Sequence, residues 1–309
     1  MKILVTGAAG FIGSTLVEQL ATDSMNQVIA LDCFLPDSYS AESKRLNVEG
    51  FRKRENIKFY QIDLRDNFDS SILDGVDCLI NEAAMPGLVK SWSHLDIYMN
   101  CNVSVVDRLC RELIKRDIPL VQISTSSVYG AMATGSEESI LKPTSPYGIS
   151  KLAAEQLIDA YSSQYGLRYT ILRYFSVYGP RQRPDMAYNL IVQSILEGNE
   201  FLVFGDGTQS RSNTFVLDVV EATILAASKP AVNEIYNIGG SEEVSLIEVI
   251  SIIESIVGKK ANFQFAPARP GDQLRTVANI EKAKKNLDWS PRVLLKEGLE
   301  KQINWQTKL

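Results

Sequence analysis

The chain opens with a strand, a turn and a helix, and this stretch limits its possible architecture more than any other. Lys2–Thr6 is a short apolar run of β-branched character. Gly7-Ala8-Ala9-Gly10-Phe11-Ile12-Gly13 breaks it, and Leu16, Val17 and Leu20 then follow at helical spacing. Each glycine has a physical use in such a turn. Gly7 allows the sharp bend, Gly10 lets backbone amides approach a pyrophosphate at the positive end of the helix, and Gly13 permits close packing of helix on strand. The spacing is Gly-x-x-Gly-x-x-Gly rather than Gly-x-Gly-x-x-Gly, so a glycine turn without a ligand is the alternative. Its place directly after an N-terminal strand favours a dinucleotide.

The segments that follow extend the same pattern. Gln27–Leu31 reads as a second strand ending at Asp32, about 20 residues beyond the glycine turn, where a carboxylate accepts hydrogen bonds from both hydroxyls of an adenosine ribose. That selects NAD over NADP, since no Arg follows directly to receive a 2′-phosphate, although Lys44 and Arg45 could curl back. Residues 36–55 are rich in polar and charged side chains and read as a solvated loop and helix. Ile57–Gln61 and Val76–Ile80 are third and fourth strands. Strands alternating with helices imply right-handed βαβ crossovers, hence an α/β fold with a doubly wound, Rossmann-type parallel sheet. Ligands gather at the carboxyl ends of such strands. Asp63 and Leu64 are then expected beside an adenine, and the small Ala83 and Ala84 leave room for the cofactor backbone; for Asp63 a helix N-cap has nearly equal weight.

Composition removes several functional classes. A net charge of -5 and a pI near 5.2 leave no basic stripe for nucleic acid. No apolar run approaches the roughly 20 residues of a membrane helix, so no membrane association and a cytoplasmic location are expected. Cys33, Cys78, Cys101 and Cys110 lack Cys-x-x-Cys spacing, and the solitary His94 offers no partner for a metal site. At 309 residues the chain can form one large or two modest domains.

Leu120–Ile123 reads as a buried strand that delivers Ser124, Thr125, Ser126 and Ser127 to the same crevice. Pro143–Pro146 makes a turn, and Tyr147 opens a helix through Leu152, Ala153, Leu157 and Tyr161. Tyr147 and Lys151 lie one helical turn apart on one face. An ammonium beside a phenol favours the phenolate and draws the Tyr pKa down from about 10 towards neutrality, making it a base. With 12 tyrosines and 32 Lys or Arg residues the pair alone is easily met by chance. It gains meaning from the glycine turn and the hydroxyls upstream, among which Thr125 is the candidate partner of a substrate hydroxyl.

Taken together these motifs resemble the NAD-dependent nucleotide-sugar epimerase/dehydratase family of extended short-chain dehydrogenases/reductases. The resemblance runs through Thr6–Gly13, Ser124–Gly130, Tyr147 with Lys151, Arg173–Pro180, Asn237–Gly240 and Arg269–Asp272. It implies an NAD-binding Rossmann domain over residues 1–170, with contacts from Gly7, Gly10, Phe11, Ile12, Gly13, Asp32, Asp63, Leu64, Ala83, Ala84, Tyr147, Lys151 and Tyr174. It implies a smaller α/β domain over residues 171–309, partly interleaved with the first, that binds the nucleotide sugar. Thr125, Tyr147 and Lys151 are the implied catalytic residues, and a homodimer formed through helices near 102–115 and 151–165 is expected.

Reaction type and substrate follow from positions where members of the family differ. Dehydratases carry an Asp-Glu pair where this chain has Ser126 and Ser127, so the acid and base for eliminating water are missing. Decarboxylating relatives usually carry Glu at the second position. The segment Arg181–Ala187 resembles that of UDP-glucuronate 4-epimerases, in which the counterpart of Arg183 lies near the sugar carboxylate; a guanidinium suits that task through its planar fork. The alternative for Arg181 and Arg183 is a phosphate contact or a surface ion pair. Ser176 stands where relatives acting on neutral hexoses often have Asn. Arg211, Arg269 and Asp272 look like contacts to the nucleotide diphosphate and its ribose. The implied activity is a UDP-glucuronate 4-epimerase. Alternatives are a 4-epimerase of neutral UDP-hexoses or UDP-N-acetylhexosamines, a dehydratase or decarboxylase, and a non-catalytic NAD-binding regulator. Three departures stand out: Asn81-Glu82 replaces the usual His-Leu before the two alanines, Lys90 replaces an Arg common in uronate epimerases, and Asn213–Leu217 departs from the usual Asp-Tyr/Phe-x-x-Val.

Overall fold

The structure, a computed structural model, describes residues 1–36, 39–229 and 233–308. Seven strands form one sheet: β1 (Lys2–Thr6), β2 (Gln27–Asp32), β3 (Ile57–Gln61), β4 (Cys78–Asn81), β5 (Leu120–Thr125), β6 (Tyr169–Tyr174) and β7 (Glu234–Ile238). All neighbours pair in parallel, in the order β7-β6-β5-β4-β1-β2-β3. The α/β class and the doubly wound sheet expected from sequence are therefore present. The strand order reverses at β1 and β4, which opens a crevice at their carboxyl ends.

Alternation along β1 sorts the core into two layers. Ile3 and Val5 pack on one face with Leu16 and Val17 of α1 (Phe11–Leu20), while Leu4 packs on the other with Val105, Leu109 and Leu113. These last three lie on α3 (Val105–Arg116), which is separated from α2 (Ala41–Glu49) by β3, β4 and two short helices over Leu88–Ser91 and Leu95–Met99, and α3 packs beside α4 (Pro146–Tyr165). The period of two in the strand thus meets helices on both sides. On the first face α5 (Val216–Ser228) lies along α1, with Val216, Val219 and Val220 buried.

Helix α4 starts where the local chemistry dictates. The Ser145 hydroxyl accepts a hydrogen bond from the Gly148 amide at 3.1 Å, and Pro146 occupies the first helical position, where it needs no amide hydrogen. Two expected boundaries shift. β4 begins at Cys78 because the Val76 amide is taken by a turn to Leu73 O. α3 begins at Val105 after a π-helical turn over Asn100–Ser104, where the buried Asn102 amide bonds to both backbone groups of Met85 and to the Ser150 hydroxyl.

The C-terminal portion adds a small four-stranded sheet in the order Glu243–Ser245, Ser210–Ser212, Arg275–Thr276, Met132–Ala133. It also returns β7 to the edge of the large sheet beside β6. Among the described residues no helix is long and apolar enough to cross a membrane.

Candidate active site

A cavity of about 960 Å³ runs along the carboxyl ends of the strands. At one end lies the glycine turn. Gly7 has φ +67°, and a Cβ there would lie 2.8 Å from Ala83 N and Glu82 C; a Cβ on Gly13 would lie 2.2 Å from Gly7 O. Side chains are excluded at both positions by backbone. The Gly10 amide donates to Gly7 O at 2.9 Å, and Gly10 itself caps α1, leaving the start of the helix, with Phe11 and Ile12, bordering the cavity.

Asp32 closes this end. Its two carboxylate oxygens accept from the Ala9 amide at 3.0 Å and the Phe34 amide at 2.7 Å, so the side chain is oriented before any ligand arrives. Burial raises its pKa, opposed by the Lys44 ammonium and those amides. A bare turn at a helix N-terminus, with an oriented acid beside it, fits the pyrophosphate and adenosine ribose of a dinucleotide. Asp63, Leu64, Ala83 and Ala84 border the same space. Asp63 caps no helix: Arg65 grips its carboxylate, with Nη2 to Oδ2 at 2.6 Å, and this ion pair holds its pKa below the usual range.

Residues 39–55 form the largely exposed loop and helix expected of them, with a few side chains turned inward, and residues 37 and 38 before them lie outside the described residues. Tyr39 and Lys44 border the cavity, and the Lys44 ammonium donates to Leu35 O at 2.7 Å while lying 5.0 Å from the Tyr39 ring centre. Asn47 donates to Ala9 O at 3.0 Å, and Val48 and Phe51 are buried. The apolar residues that pin this segment are too few and too widely spaced to stand out against its charges.

The chemical end gathers Thr125, Tyr147 and Lys151. Thr125 is the last residue of β5 and caps the following 3₁₀ turn: its hydroxyl accepts from the Ser127 amide at 3.2 Å and donates to Ser127 Oγ at 3.2 Å. Tyr147, in the first turn of α4, lies beside Thr125 and lines the same stretch of wall. Lys151 donates from Nζ to Ile123 O at 2.5 Å, and burial lowers its pKa to about 8 against the opposing pull of Glu82 and Glu155.

One expectation fails here. Tyr147 is raised rather than lowered, because burial outweighs the neighbouring Thr125 hydroxyl and a nearby cation, and that cation is Arg183 rather than Lys151. The lysine is drawn to the β5 backbone and to the two glutamates. Ser124 also points elsewhere. It donates to Glu155 Oε1, and Glu155 is paired with the buried Arg173 at 2.7 Å, whose guanidinium also donates to the Tyr129 hydroxyl at 2.7 Å.

The far end of the cavity carries the remaining polar residues. Arg183 is largely buried, its side chain 15% exposed, and it holds Asp185 through two 2.9 Å hydrogen bonds. Arg181 faces away and pairs with Glu18 of α1 at 2.8 Å, so the two arginines separate into different roles. Ser126, Ser127 and Ser176 line the wall between Thr125 and Arg183; Ser176 has a left-handed backbone, φ +39°. Arg211, Arg269 and Asp272 border the outer part, where Arg269 lies over the Phe204 ring at 4.4 Å and pairs with Asp272 at 3.0 Å.

Gln273 was not legible beforehand. Its amide donates to Ser126 O at 3.2 Å and Gly130 O at 2.8 Å and accepts from Ser126 Oγ at 3.3 Å, tying two segments far apart in sequence. Nothing local to either segment signals that clamp.

Comparison with known proteins agrees with this geometry. The sequence model of the NAD dependent epimerase/dehydratase family matches residues 3–239. A Bacillus subtilis protein described as an uncharacterized UDP-glucose epimerase is 40% identical, with 100% of this chain and 99% of that protein covered. A UDP-glucuronate 4-epimerase of Thermodesulfobacterium geofontis is 38% identical, with 98% and 95% covered. The crystal structure of UDP-glucuronic acid 4-epimerase from Bacillus cereus with UDP-glucuronic acid and NAD superposes with a TM-score of 0.97 at 38% identity, covering 100% of this chain and 99% of that one.

Proposed function

The chain belongs to the NAD-dependent epimerase/dehydratase family, and from that premise we propose that it inverts carbon 4 of a UDP-sugar, interconverting UDP-glucuronate and UDP-galacturonate. NAD⁺ held along the glycine turn and Asp32 supplies a reversible acceptor for the hydrogen on carbon 4. Tyr147 takes the proton of the carbon 4 hydroxyl as phenolate, a form that Arg183, together with the positive charge of an oxidised nicotinamide once bound, would favour against the burial that raises its pKa. Thr125, in the same wall, aligns that hydroxyl. Lys151, with its pKa near 8, can release or hold a proton near neutral pH and is within the same wall. Glycine geometry, Phe11, Ile12, Ala83, Ala84 and Tyr174 shape the cofactor's bed. Arg211, Arg269 and Asp272 take the nucleotide diphosphate.

The observation that carries the uronate reading is Arg183. It is a buried guanidinium fork, near enough to Tyr147 to act on its pKa. In a hexuronate the carboxylate is borne by carbon 5, the ring carbon next to carbon 4 with its reacting hydroxyl, so a carboxylate anchor must sit close to the base. A neutral sugar offers that fork only hydroxyl oxygens and no carboxylate for paired, charge-assisted hydrogen bonds. A 4-keto uronate is also a β-keto acid, which loses carbon dioxide most readily when the breaking bond stands perpendicular to the carbonyl plane. Arg183 with Ser126, Ser127 and Ser176 would hold the carboxylate out of that alignment.

The similarity to a protein described as a UDP-glucose epimerase favours a second reading, a neutral UDP-hexose substrate. Product analysis by nuclear magnetic resonance decides between them. UDP-glucuronate, UDP-glucose and UDP-N-acetylglucosamine are each incubated with the enzyme without added NAD⁺. A galacturonate signal from the first and little turnover of the others is expected; efficient turnover of UDP-glucose alone overturns the uronate assignment. We further propose that residues 1–170 serve NAD and residues 171–309 the nucleotide sugar, and that the chain dimerises through α3 and α4, where Ile149 and Tyr165 are exposed. The four free cysteines suit a cytoplasmic location.

A further inference from the structure

Glu82 is a carboxylic acid that the reaction above does not use. It follows β4, and its backbone abuts the Gly7 turn. The residue as a whole is half-buried, but Oε1 is fully enclosed and has no hydrogen-bond partner. The Tyr174 hydroxyl of β6 lies near the carboxyl and favours its ionised form, and it shares a 2.6 Å hydrogen bond with Thr223 of α5. From α4 it is acted on by the Lys151 ammonium, and it acts on Tyr147. Burial raises its pKa to about 7.

An enclosed, partnerless carboxylate oxygen is destabilising unless a counter-charge arrives. Glu82 lines the cavity, on the stretch of wall shared with Tyr147 and Lys151. The redox end of the dinucleotide must reach that stretch, because the hydrogen it exchanges sits on the carbon whose hydroxyl Tyr147 deprotonates. Oxidised nicotinamide is a cation and reduced nicotinamide is neutral.

We propose that Glu82 is the counter-ion of the oxidised nicotinamide ring, a positioning residue that stabilises bound NAD⁺ over bound NADH and so drives hydrogen back onto the keto sugar before it escapes. This inference rests on the reading that NAD occupies the cavity. The Leu usual at this position in the family could not play the part.

The test uses the purified wild-type enzyme, Glu82→Gln and Glu82→Leu, with dissociation constants of NAD⁺ and NADH measured separately by fluorescence titration. The ratio Kd(NAD⁺)/Kd(NADH) is expected to rise about tenfold or more in both variants, as loss of a close charge partner requires. Bound NAD⁺ in the variants, with UDP present, should also be reduced by cyanoborohydride correspondingly faster, followed at 340 nm. A purely structural Glu82 weakens both cofactor forms equally, and an unchanged ratio with unchanged reduction rates overturns the proposal. A wild-type enzyme that binds neither form removes the dinucleotide reading itself, a result separable from the first.

Discussion

Replacing Arg183 by Ala tests the uronate assignment most directly, and the structure bounds the effect. The guanidinium is already engaged twice by Asp185 at 2.9 Å, so a substrate carboxylate must share or displace an internal partner. The net contribution is therefore smaller than the gross interaction. Hydrogen bonds to charged groups contribute about 1.5–3 kcal/mol net, so a loss of roughly 2–3 kcal/mol is expected, equivalent to about 30- to 150-fold in kcat/KM. Because Arg183 also acts on Tyr147, part of the loss belongs to the base rather than to the carboxylate. A neutral substrate isolates that part. The assay compares kcat/KM for UDP-glucuronate and UDP-glucose in wild type, Arg183→Ala and Arg183→Lys, with bound NAD quantified after denaturation. The fall should be at least tenfold larger for the uronate in Arg183→Ala, and only partly rescued by Lys, which keeps the charge but not the fork. Equal falls on both sugars, or none on the uronate, would refute the argument.

Other outcomes follow from the same geometry. Tyr147→Phe should lower turnover by about 10²- to 10⁴-fold while NAD content stays unchanged, measured by product formation and by cofactor release on denaturation. Gly13→Ala places a Cβ 2.2 Å from Gly7 O and should expel NAD and lower Tm, read by calorimetry with and without added cofactor. Glu155→Ala strands the buried Arg173 charge beneath α4 and should destabilise by about 3–5 kcal/mol in denaturant titration, whereas the double replacement Glu155→Leu with Arg173→Met should recover much of that. Lys151 has an ordinary value of 10.5 and a folded value of about 8, so the unfolded chain binds more protons between them and this residue makes stability rise with pH from about 8 to 10. In cofactor-free protein Lys151→Met should flatten that part of the Tm profile.

Local periodicity made most of the sheet readable. β1, β2 and β3 announce themselves by apolar runs ending in Gly7, Asp32 and Gln61, and Tyr147 and Lys151 need only helical spacing to share a face. Legibility stops where an interaction depends on distant chain. Gln273 reaches Ser126 across the whole substrate region, and no pattern near either residue marks the pair. Ser124 could not be told from its neighbours until Glu155 and Arg173 were placed beneath it. The sign of the Tyr147 shift is hidden for a related reason. A Tyr-x-x-x-Lys spacing fixes the separation of Cα atoms, but burial and the direction of the ammonium depend on β5, Glu82 and Arg183, which come from three other parts of the chain. Within residues 39–55 only the few inward side chains, Lys44, Asn47, Val48 and Phe51, depart from the surface character that the many charges announce.

The Gln273 clamp also has a consequence for how the molecule comes into being. A nascent chain can complete β1 to β6, and with them the glycine turn and Asp32, long before residue 273 leaves the ribosome. Until then the loop after Thr125 lacks the amide that secures it. That wall of the cavity is thus among the last parts of the molecule to settle, after the strands that carry the glycine turn and Asp32.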